Sequence, residues 1–300
     1  VTRLINRTRK GRHAAPLFVG ATPAIIRQAI TFVDERVGRG YSAVRMMQSA
    51  IWRLHMVRTL TIAALALATV AAIPITPLLA EKTWRSTLDD GRSIGETSTA
   101  TQRFEKVTLA GNDTVSVTRG NQWRIRASGS PAVVAELRYV VDDGQLVIGR
   151  RWRREPIKGT ARIEVTAPSV TSATLAGSGN LIVDSMSGSD IGATVAGSGT
   201  LEIGRVKASH LSAAIAGSGD LKIAGNADDS SINIAGSGDI DATRLRVGRS
   251  AVSIAGSGGA RFRADGPVKA SIVGSGSAIV TGTTDCSQTR MGSGRLTCSR

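Results

Sequence analysis

One short pattern recurs through the second half of the chain at intervals of 18 to 20 residues. It reads LAGSGN at 175–180, VAGSGT at 195–200, IAGSGD at 215–220 and 234–239, and IAGSGG at 254–259. Two looser copies follow, IVGSGS at 272–277 and RMGSGR at 290–295. A flexible hinge would not need an apolar residue ahead of every copy, so the pattern indicates a repeated structural unit.

The residues that flank each GSG alternate between apolar and variable side chains, which is typical of a strand with one buried face. Strand, corner and strand, repeated at this interval, form one coil of a parallel β-solenoid. Stacked coils bury equivalent positions in columns. The column two residues before each GSG contains Leu175, Val195, Ile215, Ile234, Ile254, Ile272 and, in the last copy, Arg290.

The fold predicted from this pattern is all-β: a parallel β-helix or solenoid of about ten stacked coils over residues 101–300. At a corner, glycine adopts positive φ without steric cost, and small side chains let corners stack closely. We also expect the corner serines to form a hydrogen-bonded ladder. Residues 103–170 alternate without GSG and are expected to form irregular early coils that cap the stack. The predicted corner glycines are Gly177, Gly179, Gly197, Gly199, Gly217, Gly219, Gly236, Gly238, Gly256 and Gly258.

The segment ahead of the solenoid contains an uncharged apolar stretch at residues 59–80, preceded by Arg53 and Arg58. A basic residue followed by such a stretch is typical of a secretory signal peptide, which would comprise residues 56–80. The alternative is an uncleaved membrane anchor, since 22 uncharged residues can span a bilayer. Residues 1–55 form a basic extension, either an over-extended translation start ahead of Met56 or a genuine cytoplasmic segment. Residues 81–100 are polar and are expected to be a linker.

Charge and cysteine content restrict the classes of function. Of the formal net charge of +15, residues 1–80 carry +9, so the basic character does not predict nucleic-acid binding by the repeat region. Cys286 and Cys298 both lie near the end of the sequence and lack metal-ligand spacing. They are a candidate disulfide in an oxidising compartment, with two unrelated buried thiols as the alternative.

The sequence resembles the bacterial family of putative autotransporter adhesin "head GIN" domains. The resemblance rests on FEKVTLAGNDTVSVTRGNQWRIRASG at 104–129, on ARIEVTAPSVTSATLAGSGN at 161–180, and on the serial AGSGD-type repeats. Together these cover about residues 101–300. The resemblance implies an exported, right-handed β-helix-like domain without catalytic residues to transfer, and the family's name suggests adhesion.

No motif predicts catalysis, a cofactor or a metal. The GSG copies lack the third glycine of a dinucleotide site and the Lys-Ser/Thr of a phosphate loop. His210, the only histidine after residue 80, is expected to be a solvated surface residue. Asp220 and Asp239 should stack about 5 Å apart, as the carboxylates of a retaining glycosidase do, or hold calcium. The simpler interpretation is that short polar residues suit this turn.

The densest local charge of the repeat region is Arg150-Arg151-Trp152-Arg153-Arg154. Guanidinium groups around an indole are a candidate binding loop for phosphate, sulfate or an anionic polysaccharide. The alternative is a solvated loop between two strands.

We therefore expect an exported, non-enzymatic β-solenoid for surface binding, adhesion or envelope structure, in the periplasm or at the cell surface of a bacterium. Candidate partners are an anionic polysaccharide or an envelope component, with no nucleic acid, and membrane contact only through residues 59–80 if these are uncleaved. The alternatives are a membrane-anchored periplasmic sensing or scaffolding domain and a polysaccharide-active β-helix enzyme.

Overall fold

The computed structural model describes residues 88–300, so the predicted signal or anchor and the segment before it lie outside the described residues. Within that range no helix is long and apolar enough to cross a membrane. One short helix, α1, spans Pro131–Val134. The strands are β1 Arg92–Ser93, β2 Thr99–Ala100, β3 Lys106–Gly111, β4 Thr114–Arg119, β5 Arg124–Ser128, β6 Leu137–Asp142, β7 Gln145–Arg150, β8 Arg162–Ala167, β9 Ser172–Gly177, β10 Asn180–Gly197, β11 Thr200–Gly217, β12 Asp220–Gly236, β13 Asp239–Gly256, β14 Gly259–Ala264, β15 Val268–Gly274, β16 Ser277–Thr281, β17 Cys286–Met291 and β18 Arg295–Ser299.

The repeats stack as parallel strands in the register that the GSG alignment predicts. Val195 pairs with Ile215, and Ile215 with Ile234, so the apolar residues before each corner form one column. The apolar residues after the corner form a second column, in which Leu181 pairs with Leu201. Both columns are buried and form the core of the solenoid. The all-β solenoid prediction is confirmed.

The number of coils is smaller than expected. The solenoid has about six turns rather than about ten. Two parallel stacks run along it: one follows β4, β10, β11, β12, β13, β14, β16 and β18, and the other β3, β9, β10, β11, β12, β13, β15 and β17. The early strands extend these two stacks without adding complete coils of their own.

Residues 92–167 form a cap at the N-terminal end of the solenoid. Strands β7 and β8 pair in parallel with β3 and β4 on the side away from the repeats. Antiparallel strands then complete the two stacks, with β6 and β1 beyond β7, and β5 and β2 beyond β8. The chain therefore forms the β3 and β4 layer first and then the cap strands on its outer side. It then returns to the inner side and starts the repeats with β9. The predicted capping role is consistent with this arrangement, although much of the cap is antiparallel.

The corners are held by backbone hydrogen bonds between successive rungs. The N–H groups of Ser218 and Gly219 both donate to the carbonyl of Gly197, at 3.0 and 2.9 Å. Gly217 has φ of +128°, and a Cβ added to Gly219 would lie 2.5 Å from the carbonyl oxygen of Gly199. The first glycine is thus required by its backbone conformation and the second by close approach.

The expected serine ladder is largely absent from the described corners. One hydroxyl pair bonds between rungs, from Ser293 to Ser275 at 3.1 Å. The other corner serines face solvent, and backbone N–H groups link each corner to a carbonyl of the preceding rung.

The final described rung, β17 and β18, replaces much of the apolar interior with polar groups and a disulfide. Gln288 and Arg290 pair with Ala270 and Ile272 of the rung before. The Gln288 side chain accepts a hydrogen bond from the N–H of Leu296 at 2.8 Å. Cys286 and Cys298 form a disulfide across this rung, with their Cα atoms 6.6 Å apart.

Candidate functional site

Arg150, the first residue of the candidate binding loop, is committed to the interior of the cap. Its guanidinium donates to both carboxylate oxygens of Asp113, at 2.6 and 2.8 Å, and to the carbonyls of Ile157 and Gly159. Asp113 is buried and also accepts the N–H of Ala161 at 2.7 Å. The hydrogen bonds that Arg150 donates to the Asp113 carboxylate raise the pKa of Arg150. The prediction that Arg150 binds an external anion is therefore corrected. Its guanidinium is occupied by Asp113 and by two loop carbonyls, and it holds the loop in place.

Arg151 and Arg153 share one buried carboxylate, that of Glu136. Arg153 donates to Glu136 Oε1 at 2.6 Å, and Arg151 approaches Oε2 at 3.3 Å. The hydrogen bond from Arg153, with further help from Arg151, lowers the pKa of Glu136 to about 2 despite its burial. Both arginine side chains remain more than 40% exposed. The cluster of three groups therefore keeps a net positive charge that faces solvent.

Trp152 projects from this loop into solvent, with 59% of its surface exposed. Its backbone N–H donates to Asp89 Oδ1 at 2.9 Å, which ties the loop to the start of the described chain. Arg154 is also exposed and, within residues 88–300, makes no ion pair. We call residues 151–158 the Arg–Trp loop. The predicted binding function stays a prediction, now carried by Arg151, Trp152, Arg153 and Arg154 without Arg150.

Sequence reasoning missed the two carboxylates that hold the loop in place. Asp113 lies in the sequence Gly111-Asn112-Asp113, which stacks beneath the corner at 177–179 as the first corner of the solenoid. Glu136 was detectable as a single charge between the apolar Val133-Val134 pair and Leu137.

The stacked aspartates lie where the repeat alignment puts them. Asp220 and Asp239 are register partners on adjacent strands, and both are exposed. In the part of the chain that the structure describes, no group of three or more His, Cys, Asp or Glu side chains is arranged to hold a metal.

His210 lies at the surface, with its side chain 61% exposed, beside an ion pair between rungs. Its Nδ1 is 3.4 Å from Asp229 Oδ2, and Asp229 also accepts hydrogen bonds from Arg249. Those bonds lower the pKa of Asp229. The arrangement joins three successive rungs through side chains.

A second candidate surface runs along one side of the solenoid. The last three outward positions before the corner in each of β9 to β13 carry only small uncharged side chains, and we call this surface the small-residue face. They are Ser172, Thr174, Ala176, Gly192, Thr194, Ala196, Ser212, Ala214, Ala216, Ser231, Asn233, Ala235, Ala251, Ser253 and Ala255.

A shallow groove of about 410 Å³ crosses the C-terminal part of this face. Hydroxyl and amide side chains line it, including Asn233, Ser253, Ser271 and Thr289, and Lys269 supplies one ammonium group. No carboxylate lines the groove. Ala251, Val252 and Ala270 also line the groove, so it presents apolar as well as hydrogen-bonding surface.

Known structures share the fold at low sequence identity. A putative adhesin from Bacteroides fragilis is 20% identical with a TM-score of 0.60, covering 69% of this chain and all of that one. A putative adhesin from Parabacteroides merdae is 18% identical with a TM-score of 0.55, covering 68% of this chain and 95% of that one. A putative lipid binding protein from Parabacteroides distasonis is 22% identical with a TM-score of 0.53, covering 70% of this chain and all of that one.

The family comparison agrees with the fold. No curated protein matches the chain. The sequence model of one family matches residues 103–284, from the cap to the loop before the final rung. This match takes in the first corner, the Arg–Trp loop and the GSG corners up to residue 276. The chain therefore belongs to the family described as "putative auto-transporter adhesin, head GIN domain".

Proposed function

We propose that the protein is an exported, non-enzymatic binding module of the bacterial envelope, and that it attaches to an acidic glycan through the groove on the small-residue face. The observation that carries this proposal is the groove itself, where hydroxyl and amide side chains surround Lys269 without a carboxylate. Such a lining can donate and accept several hydrogen bonds while the ammonium attracts a negative group.

The shape of the solenoid supports an extended ligand. Successive rungs present equivalent side chains about 4.8 Å apart, so a repeating polymer meets the same chemistry at each step. Asn233, Ser253 and Ser271 are neighbours in one such column. Small side chains leave the backbone close to the ligand, and the rigid core keeps the column straight.

Two further observations support export and adhesion. The Cys286–Cys298 disulfide is typical of oxidising compartments such as the periplasm or the cell surface. The family and two of the structures above carry names that refer to adhesion. The name of the third refers to lipid, so the names alone do not choose the ligand.

The test compares two lysines that undergo the same charge change. Lys269→Gln removes the ammonium of the groove, whereas Lys222→Gln removes an exposed ammonium from another side of the solenoid. Binding of the purified chain to immobilised acidic polysaccharide from the bacterial envelope is measured at low and high salt. We expect Lys269→Gln to weaken binding about fivefold or more and to reduce its salt dependence, with Lys222→Gln close to wild type. If Lys269→Gln and Lys222→Gln bind the polysaccharide equally well, the groove is not the binding site.

A further inference from the structure

The position of the Arg–Trp loop relative to the chain entry suggests a second surface with a different partner. The loop joins β7 to β8, which lie on the outer side of β3 and β4 at the N-terminal end. Asp89 binds the backbone of Trp152, and the neighbouring Leu88 is buried. The loop therefore lies beside the point where the chain enters the solenoid.

Few residues separate buried Leu88 from the uncharged stretch that is a candidate signal or anchor. Seven residues, 81–87, separate the uncharged stretch 59–80 from Leu88 and span at most about 25 Å when extended. If residues 59–80 are an uncleaved anchor, the alternative given above, the bilayer that holds them lies within that distance of Leu88. Strand β16 belongs to the same stack as β8 but lies near the other end of the solenoid. Along the axis, β16 is about 34 Å from β8.

The side chains of the loop match the chemistry of a lipid headgroup layer. Tryptophan concentrates at membrane interfaces, where its apolar ring and its N–H are both satisfied. Guanidinium groups bind phosphate through paired hydrogen bonds. Residues 151–158 contain four basic side chains and one acidic one, and buried Glu136 neutralises only one charge of the Arg151 and Arg153 pair.

We propose that the Arg–Trp loop rests on the phosphate headgroup layer of a phospholipid bilayer, with the Trp152 ring inserted at the interface, and so holds the N-terminal end of the solenoid against the membrane. The proposal rests on residues 59–80 remaining as an anchor. The partner is the lipid surface and not a glycan, because the loop offers one exposed aromatic ring beside the point where the anchored chain would enter the solenoid. The small-residue face is left free to bind its ligand.

Photocrosslinking in living cells tests this contact with the full chain. A benzophenone amino acid replaces Trp152 in one variant and Ile279 in a matched control, where Ile279 is an exposed apolar residue on β16. After irradiation of intact cells, mass spectrometry identifies the adducts. We expect phospholipid adducts at position 152 and none above background at position 279.

The charge contribution is tested in the same format. Within residues 88–300, Arg154 and Lys158 make no ion pair, so Arg154→Gln and Lys158→Gln leave the Glu136 cluster intact. Each change should lower the yield of lipid adduct about fivefold, since a basic side chain near an anionic surface contributes about that factor.

Three results would overturn the proposal: equal adduct yields at positions 152 and 279, a carbohydrate adduct at 152, or yields unaffected by both glutamine variants. Binding to polysaccharide through Lys269 is measured separately, so the failure of one proposal leaves the other open to its own test.

Discussion

The corner glycines give the sharpest quantitative test of the architecture, and Gly217 shows why. Replacement by alanine, Gly217→Ala, places a Cβ on a backbone with φ of +128°, a region that is essentially restricted to glycine. That conformation costs about 1–3 kcal/mol. The new Cβ would also lie 2.4 Å from the carbonyl oxygen of Gly197, so the two rungs must separate locally. Forced overpacking of this kind costs about 1–3 kcal/mol more.

The expected loss for Gly217→Ala is therefore about 2–6 kcal/mol, a large part of the total stability of a typical domain. Gly219→Ala should cost less, because its backbone is not strained and only the approach to Gly199 and Val195 is affected. Ser218→Ala is the matched control at the same corner and should stay within about 0.5 kcal/mol, since Ser218 faces solvent.

Chemical denaturation of the intact chain, followed by circular dichroism, measures these differences as changes in the free energy of unfolding. The order wild type, Ser218→Ala, Gly219→Ala and Gly217→Ala, from most to least stable, is the expected result. A Gly217→Ala variant as stable as Ser218→Ala would refute the argument that positive φ and close stacking determine the corner.

Three further perturbations have defined outcomes. Replacing Cys286 and Cys298 by serine should lower stability by about 3 kcal/mol for a closed loop of this length, and reductant should affect only the wild type in the same denaturation assay. The stability that Glu136 provides is present above pH about 4.5 and is lost as the pH falls toward about 2, so the gap between wild type and Glu136→Gln should close over that range of a pH-dependent unfolding series. Arg150→Ala should destabilise by about 3–5 kcal/mol because it leaves a buried carboxylate unpaired, whereas Arg154→Ala should not shift the thermal midpoint measurably.

The fold of the repeat region was predictable because the residues that determine it lie close together in the sequence. Alternation fixes which residues point inward, and the fixed spacing between corners aligns Val195 with Ile215 and Ile234 without further assumptions. The corner chemistry could be predicted for the same reason. The expected serine ladder was wrong at most corners, where backbone N–H groups and not the serine hydroxyls link successive rungs.

The cap was less predictable because its contacts are distant in sequence. Nothing local shows that β8 pairs with β4, or that Asp113 and Arg150 meet across 37 residues. The sequence therefore showed the arginine cluster, but it did not show that Asp113 and Glu136 pair with it. A polar side chain in an otherwise apolar neighbourhood, such as Glu136, was the available signal for a hidden ion pair.

The parallel stacking also determines how the molecule responds to a pulling force. The hydrogen bonds between rungs run along the solenoid axis, so the rungs bear tension between the two ends in series and separate one at a time. The rung from Gly197 to Gly217 contains 20 residues and would release at most about 70 Å of chain. The disulfide across the last rung limits how far that rung can extend. Under the attachment proposed above, the solenoid would thus lengthen in repeated steps and dissipate work before its ligand detaches.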